Sequence, residues 1–245
     1  MSEQIVLFDL PSKEPRRCWS LNPWKTRLLL NYKGLDYRTE WVEYPDIKST
    51  LEPHLPPRSD WPAYTIPAVR LADGTYVMDS LEIARAIEAA HPSPPLHLDS
   101  PALARLIGPE GIASRTISQL ARVLLTRVPT RILTDASVPY WVETRSQMVG
   151  MPLAEFQAQV TDWEPVWAAA EPVLHEATTL LNETREDGPF FLGKEASYAD
   201  FVWGGLLIFY DRMGELDELL ARTGDAEAHK ALLKALEPWT ERCDF

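Results

Sequence analysis

The chain has 245 residues, enough for one large domain or two small ones and for a core that needs no staples. Hydrophobic residues are 45% and charged residues 24%, which excludes a disordered chain. Twenty-four Lys and Arg against 36 Asp and Glu give a net charge of −12, which repels nucleic-acid phosphates and anionic membrane surfaces and leaves small molecules as the expected partners.

Residues 4–9 predict a short buried strand. The apolar run inside it, Ile5 to Phe8, is too short for a signal-peptide core and has no basic residue before it. No window reaches the ~18 apolar residues of a membrane span. A polar loop follows, and Asn22-Pro23 predicts a helix start, with Asn22 as the cap and Gly34 closing the helix. Residues 37–43 alternate as a strand. Residues 45–65 are Pro-rich, with one short helix near 46–52. Ile66-Pro67 enters a third strand, Asp73-Gly74 turns it, and residues 75–78 return. Asp79-Ser80 opens a helix that runs to the His91-Pro92 break. The order is βαβ, a connection, then ββα, a thioredoxin-like arrangement.

From about residue 99 the strand signals stop. Helices are expected near 99–128, 130–150, 152–184, 197–213 and 226–237, with Pro109, Pro129, Pro165 and Pro172 breaking or kinking them. The expected architecture is α/β plus all-α: a thioredoxin-like domain over 1–91, a linker over 92–100 and a helical bundle over 101–245. The two cysteines, Cys18 and Cys243, lie in no CxxC or Cys/His cluster, so neither a disulfide scaffold nor a metal site is expected. A reduced, cytoplasmic protein is the expectation. Twenty-one prolines and nine tryptophans are both high counts. Core packing is the default reading of the tryptophans, and aromatic ligand stacking is the alternative.

Three features of the first domain converge. Ser20 lies at the positive end of a helix, a natural anion site, or is a plain loop serine. Ile66-Pro67 suits a cis bond that frees the Ile66 backbone for an extended peptide, or is a trans strand entrance. Asp79-Ser80 offers a carboxylate to an ammonium, and a hydroxyl with backbone N–H groups to a carboxylate, or is simply a cap.

These residues carry a resemblance. Ser20-Leu-Asn-Pro-Trp-Lys-Thr-Arg27 resembles the first-helix motif of the cytosolic glutathione transferases, Ile66-Pro67 their cis-proline, and Asp79-Ser80 their acidic-Ser pair. In the second domain Phe191-Leu-Gly193 and Ser197-Tyr-Ala-Asp200 are similar to that family's capping box, with Ser197 capping and Asp200 reaching back. Residues 130–155 and the NPWKTR motif are similar to the etherase-related branch, which includes bacterial lignin β-etherases and fungal FuA-type transferases.

The resemblance implies glutathione as co-substrate and a homodimer. It implies Ser20 as the activating residue, and Asn22, Thr65, Ile66, Pro67, Asp79 and Ser80 around the tripeptide. A second-substrate pocket between the domains would be walled by Leu21, Trp24, Thr116 and Leu120. Lys25 reads as a solvated helix face. The implied chemistry is attack of a thiolate on small aromatic electrophiles, including ether cleavage. A serine hydroxyl is too weak a base to take the thiol proton, but it donates to the thiolate. Cys18 is the rival centre, set aside because Ser20 has the spacing from Arg27. A carrier of aromatic compounds with little catalysis is the competing function.

Overall fold

The computed structural model describes residues 4–15 and 17–243. The first part builds β1 (Ile5–Asp9), α1 (Leu21–Tyr32), β2 (Tyr37–Trp41), α2 (Ile47–Leu51), β3 (Ala68–Arg70), β4 (Tyr76–Met78) and α3 (Ser80–Ala90). The sheet order is β2-β1-β3-β4. β1 runs parallel to β2, with Ile5 opposite Tyr37, and antiparallel to β3, with Leu7 opposite Val69. All five residues of β1 are buried, as a central strand covered on both faces requires.

The remainder is helical: α4 (Pro101–Leu106), α5 (Ile112–Gln119), α6 (Ala121–Arg131), α7 (Val138–Val149), α8 (Leu153–Ala158), α9 (Glu164–Asn182), α10 (Tyr198–Met213), α11 (Leu216–Ala221) and α12 (Ala226–Leu236). No helix among the described residues is long and apolar enough to cross a membrane. The helices expected over 99–128, 130–150 and 152–184 are each broken into shorter pieces. Gly108 at φ +84° followed by Pro109 ends α4. Pro165 starts α9 instead of kinking it, because the first helical positions need no N–H partner. Pro129 and Pro172 do lie inside helices.

The cap of α1 also differs from expectation. Ser20 is the N-cap, and Asn22 sits in the first turn. Pro23 is then the third helical residue, where its missing N–H still costs no intrahelical bond.

The two parts meet where α1 packs on α10. Gly205 permits the approach: a Cβ there would stand 3.2 Å from the Leu21 carbonyl oxygen and 3.3 Å from Trp24 Cβ. At the head of α10, Ser197 and Asp200 form a capping box. Asp200 accepts from the Ser197 amide at 2.7 Å and from the Phe191 amide at 2.8 Å.

Candidate functional site

A cleft of about 250 Å³ opens where the first turn of α1, the entry to β3, the start of α3 and the start of α10 face one another. Its walls include Asn22, Thr65, Ile66, Pro67, Asp79 and Ser80, all six expected ligand contacts. The local structure explains the grouping. The Ile66–Pro67 peptide bond is cis, and neither the amide nor the carbonyl of Ile66 has a hydrogen-bond partner among the described residues. The Thr65 amide is occupied by Met78 Sδ at 3.1 Å.

Asp79 is the N-cap of α3, its Oδ1 accepting from the Leu81 amide at 2.9 Å. Its φ is +82°, an unfavourable backbone for a residue with a Cβ, costing about 1–3 kcal/mol. Its other oxygen lies 3.6 Å from Arg58 Nη1. Ser80 keeps its hydroxyl free of partners among the described residues, while its carbonyl accepts from Tyr198 Oη at 2.8 Å. Burial pushes the Tyr198 hydroxyl above the usual range.

Ser20 is not itself a cleft wall. It caps the helix whose first turn supplies Asn22 and Lys25, and its hydroxyl makes no capping hydrogen bond. Its carbonyl accepts from the Trp24 amide at 3.1 Å, the first bond of the helix. The hydroxyl is therefore available at the positive end of a twelve-residue helix.

Lys25 and Arg58 join the cleft without having been expected there. Lys25 is half-buried, and its Nζ donates to Asn22 Oδ1 at 2.8 Å. Burial lowers its ammonium to about 8, with Asp79 pulling the other way. Nothing in the sequence separates Lys25 from an ordinary exposed helix lysine, because the walls that enclose it come from β3 and α3. Arg58 comes from the irregular Pro-rich stretch, where no periodicity speaks for any position.

The proposed second-substrate walls fare differently. Trp24, Thr116 and Leu120 are wholly buried in the core, and only Leu21 keeps partial exposure. Thr116 spends its hydroxyl on the Ile112 carbonyl at 2.8 Å. A larger cleft, about 470 Å³, opens instead between residues 12–19 and the ends of α6 and α10; Lys13, Arg17, Trp19, Arg131 and Arg212 line it. Cys18 is wholly buried, and burial above all, with the Cys243 thiol beside it, holds its thiol far above the ordinary range. It is thus a poor nucleophile as it stands. Among the described residues no cluster of His, Cys, Asp and Glu could hold a metal ion.

Comparison with known proteins follows the same division of the chain. The family model described as "Glutathione S-transferase, N-terminal domain" matches residues 19–90, and "Glutathione S-transferase, C-terminal domain" matches residues 110–239. A "Glutathione S-transferase-like protein ustS" from Aspergillus flavus is 31% identical over 257 residues, covering 97% of this chain and 91% of that protein. The crystal structure of glutathione transferase GSTFuA2 from Phanerochaete chrysosporium superposes with a TM-score of 0.84 at 27% identity, covering 99% of this chain and 100% of the other. The transferase CsGST63524 of Ceriporiopsis subvermispora, solved in complex with glutathione, superposes with a TM-score of 0.82 at 27% identity, over 97% and 98% of the two chains.

Proposed function

The chain belongs to the glutathione S-transferase family, and on that premise we propose that the cleft at the head of α1 binds glutathione and that Ser20 holds its sulfur as a thiolate for attack on small aromatic electrophiles. The observation that carries this reading is the uncommitted Ser20 hydroxyl at the N-cap of α1, one turn from a cleft whose charges suit a tripeptide. Asp79 takes the α-ammonium of the γ-glutamyl group. The Ser80 hydroxyl and the Ser80 amide at the head of α3 take its carboxylate. The free Ile66 amide and carbonyl pair with the peptide in extended form, and Lys25 supplies positive charge beside Asn22.

The magnitudes suffice. A free thiol has a pKa near 8.5, so only a few per cent is thiolate at neutral pH. A charge-assisted hydrogen bond from Ser20 contributes about 1.5–3 kcal/mol. The helix end adds about 0.3–1 kcal/mol. Together these lower the thiol pKa by roughly 1.5–3 units. The remaining task is to hold an electrophile against the sulfur. Trp19 precedes Ser20 directly and lines the larger cleft, which supports that cleft as the electrophile's place. Four cationic side chains against the carboxylates of Glu14 and Asp211 leave its rim an excess of positive charge, which suits substrates bearing a carboxylate or phenolate, aryl ethers included. A homodimer in the cytoplasm remains part of the proposal.

The carrier reading draws less on the tryptophans than their count suggests: Trp19, Trp24, Trp141, Trp167 and Trp203 are buried, while Trp61 is exposed and Trp41, Trp163 and Trp239 are half-buried. The deciding experiment is the pH midpoint of conjugation to an activated aryl halide. Ser20→Ala should raise it by about 1–2 units, whereas Cys18→Ser should leave it in place. An unchanged midpoint in Ser20→Ala, or loss of turnover in Cys18→Ser alone, would remove Ser20 from this role.

A further inference from the structure

Cys18 and Cys243 are the two cysteines of the chain and stand at its opposite ends, yet they meet in space. The Cys18 amide donates to the Cys243 carbonyl at 3.2 Å, which sets the two side chains beside each other. Cys18 is wholly buried, while Cys243 is half-buried against the core. The tail that delivers Cys243 is tied down. Asn31 Nδ2 donates to the Trp239 carbonyl at 2.6 Å and to the Arg242 carbonyl at 3.2 Å. Tyr37 Oη donates to the same Arg242 carbonyl at 3.2 Å, and the Arg242 guanidinium donates to the Tyr37 carbonyl.

Cys18 and Cys243 share one backbone hydrogen bond, and residues paired through such bonds in an antiparallel ladder have Cα atoms about 5.5 Å apart. That lies inside the range a disulfide spans, about 4.4–6.8 Å. A buried cysteine alone behaves as a small apolar residue. What changes the chemistry here is a second cysteine, half-buried instead of enclosed, on a segment hydrogen-bonded to the first.

We infer that Cys18 and Cys243 are a reversible disulfide site whose co-reactant is a small disulfide of the glutathione disulfide class. Cys243, the accessible member, loses its proton and its thiolate attacks one sulfur of the small disulfide. A mixed disulfide forms on Cys243 and one glutathione thiolate leaves, taking up that proton. Cys18 then gives up its proton, and its sulfur attacks Cys243 Sγ. The second glutathione leaves as thiolate and takes the proton. Two protein thiols are oxidised and one small disulfide is reduced to two thiols. The bond staples the chain's tail to the segment two residues before Ser20. It does not depend on which residue activates the thiol in the cleft.

The test is incubation of the full chain with glutathione disulfide, followed by intact mass measurement and peptide mapping without reduction. The wild type should lose two hydrogens and give a linked Cys18–Cys243 peptide, and excess reduced glutathione should reverse both. Cys18→Ser, with Cys18→Ala as a second variant should the first fold poorly, should stop at a glutathione adduct on Cys243. Cys243→Ser should react at least about tenfold more slowly, its remaining thiol being buried. The inference is overturned if the wild type keeps the adduct without a linked peptide, if chains cross-link to one another, or if Cys243→Ser reacts as fast as the wild type.

Discussion

Arg27 Nε lies 2.8 Å from Asp9 Oδ2, and solvent reaches neither side chain. Arg27 Nη2 also donates to Thr39 Oγ1 at 2.9 Å, and Asp9 Oδ1 accepts from the Leu10 amide at 2.6 Å. One buried guanidinium therefore ties α1 to the end of β1 and the middle of β2, and α1 is the helix that Ser20 caps. Burial pushes the Asp9 carboxyl up, and Arg27 beside it is the main influence pulling it back.

Removing the cation alone should be costly. Arg27→Met leaves a carboxylate stranded in the core, and breaking a buried pair in this way costs about 3–5 kcal/mol. Urea unfolding should show that loss. Adding Asp9→Leu should restore much of it, since an apolar pair of similar volume carries no stranded charge. If the double variant were no better than Arg27→Met, the cost would lie in packing and not in the charge.

Lys25 should make glutathione binding sensitive to alkaline pH. Its ammonium is lowered to about 8 by burial, so the empty cleft loses that positive charge as pH rises through about 8. The KM for glutathione should climb over this window. Lys25→Met should show a KM raised about tenfold at pH 7, the equivalent of roughly 1.4 kcal/mol, with a weaker climb above pH 8. Initial-rate kinetics in glutathione from pH 6.5 to 9 tests both points.

Asp79 has two duties that a single substitution separates. Asn caps a helix as well as Asp and tolerates positive φ, so Asp79→Asn should leave the melting temperature nearly unchanged. It removes the charge assigned to the ammonium. A charged hydrogen bond is worth about 1.5–3 kcal/mol, so the glutathione KM should rise roughly ten- to hundredfold. A large drop in melting temperature with little change in KM would make Asp79 a structural cap only.

The order of strands and helices in the first part was legible because each element carries its own local signal: an apolar β1, the Asp73-Gly74 turn, the Asp79 cap. The start of α1 was misplaced by two residues because Asn22-Pro23 has the chemistry of a cap and first position, while the chain places Ser20 there. The helices of 99–184 read as too long because apolar spacing continues across the breaks at Leu120, Ile132–Ser137 and Gln159–Trp163, whereas the breaks at Pro109 and at 150–152 were expected. Trp24, Thr116 and Leu120 looked like pocket walls, and packing buried them; that outcome belongs to α9 and α10, far away in sequence. Lys25, Arg58 and the meeting of Cys18 with Cys243 were illegible for the same reason. Each owes its environment to elements distant along the chain.

Two buried groups in the helical part should oppose each other as pH falls. His229 is wholly buried. Its Nδ1 accepts from Trp203 Nε1 at 2.9 Å, so Nε2 carries the proton and donates to Thr178 Oγ1 at 2.8 Å. Thr178 in turn donates to the Thr223 carbonyl at 2.7 Å. Protonating Nδ1 would break the Trp203 bond, and burial lowers His229 to about 4 from an ordinary 6.5, Asp225 opposing. Between those values the unfolded chain binds the extra proton, so this residue removes stability as pH falls from 6.5 towards 4. Asp200 has the opposite sign. Burial raises it to about 6 from an ordinary 3.8, against the hydrogen bonds from Phe191 and Ser197. Here the folded chain binds the extra proton, so the contribution is full below 3.8 and is lost as pH rises through about 6. Each shift corresponds to about 3 kcal/mol, and over pH 4–6 the two nearly cancel. Substitution should expose them. In Asp200→Asn the His229 contribution stands alone, and unfolding free energy should fall more steeply than in the wild type between pH 6 and 4. In His229→Gln the slope should move the other way. Denaturant titrations at pH 4, 5 and 6 compare the slopes directly, and parallel profiles in all three proteins would show that neither group titrates differently on folding.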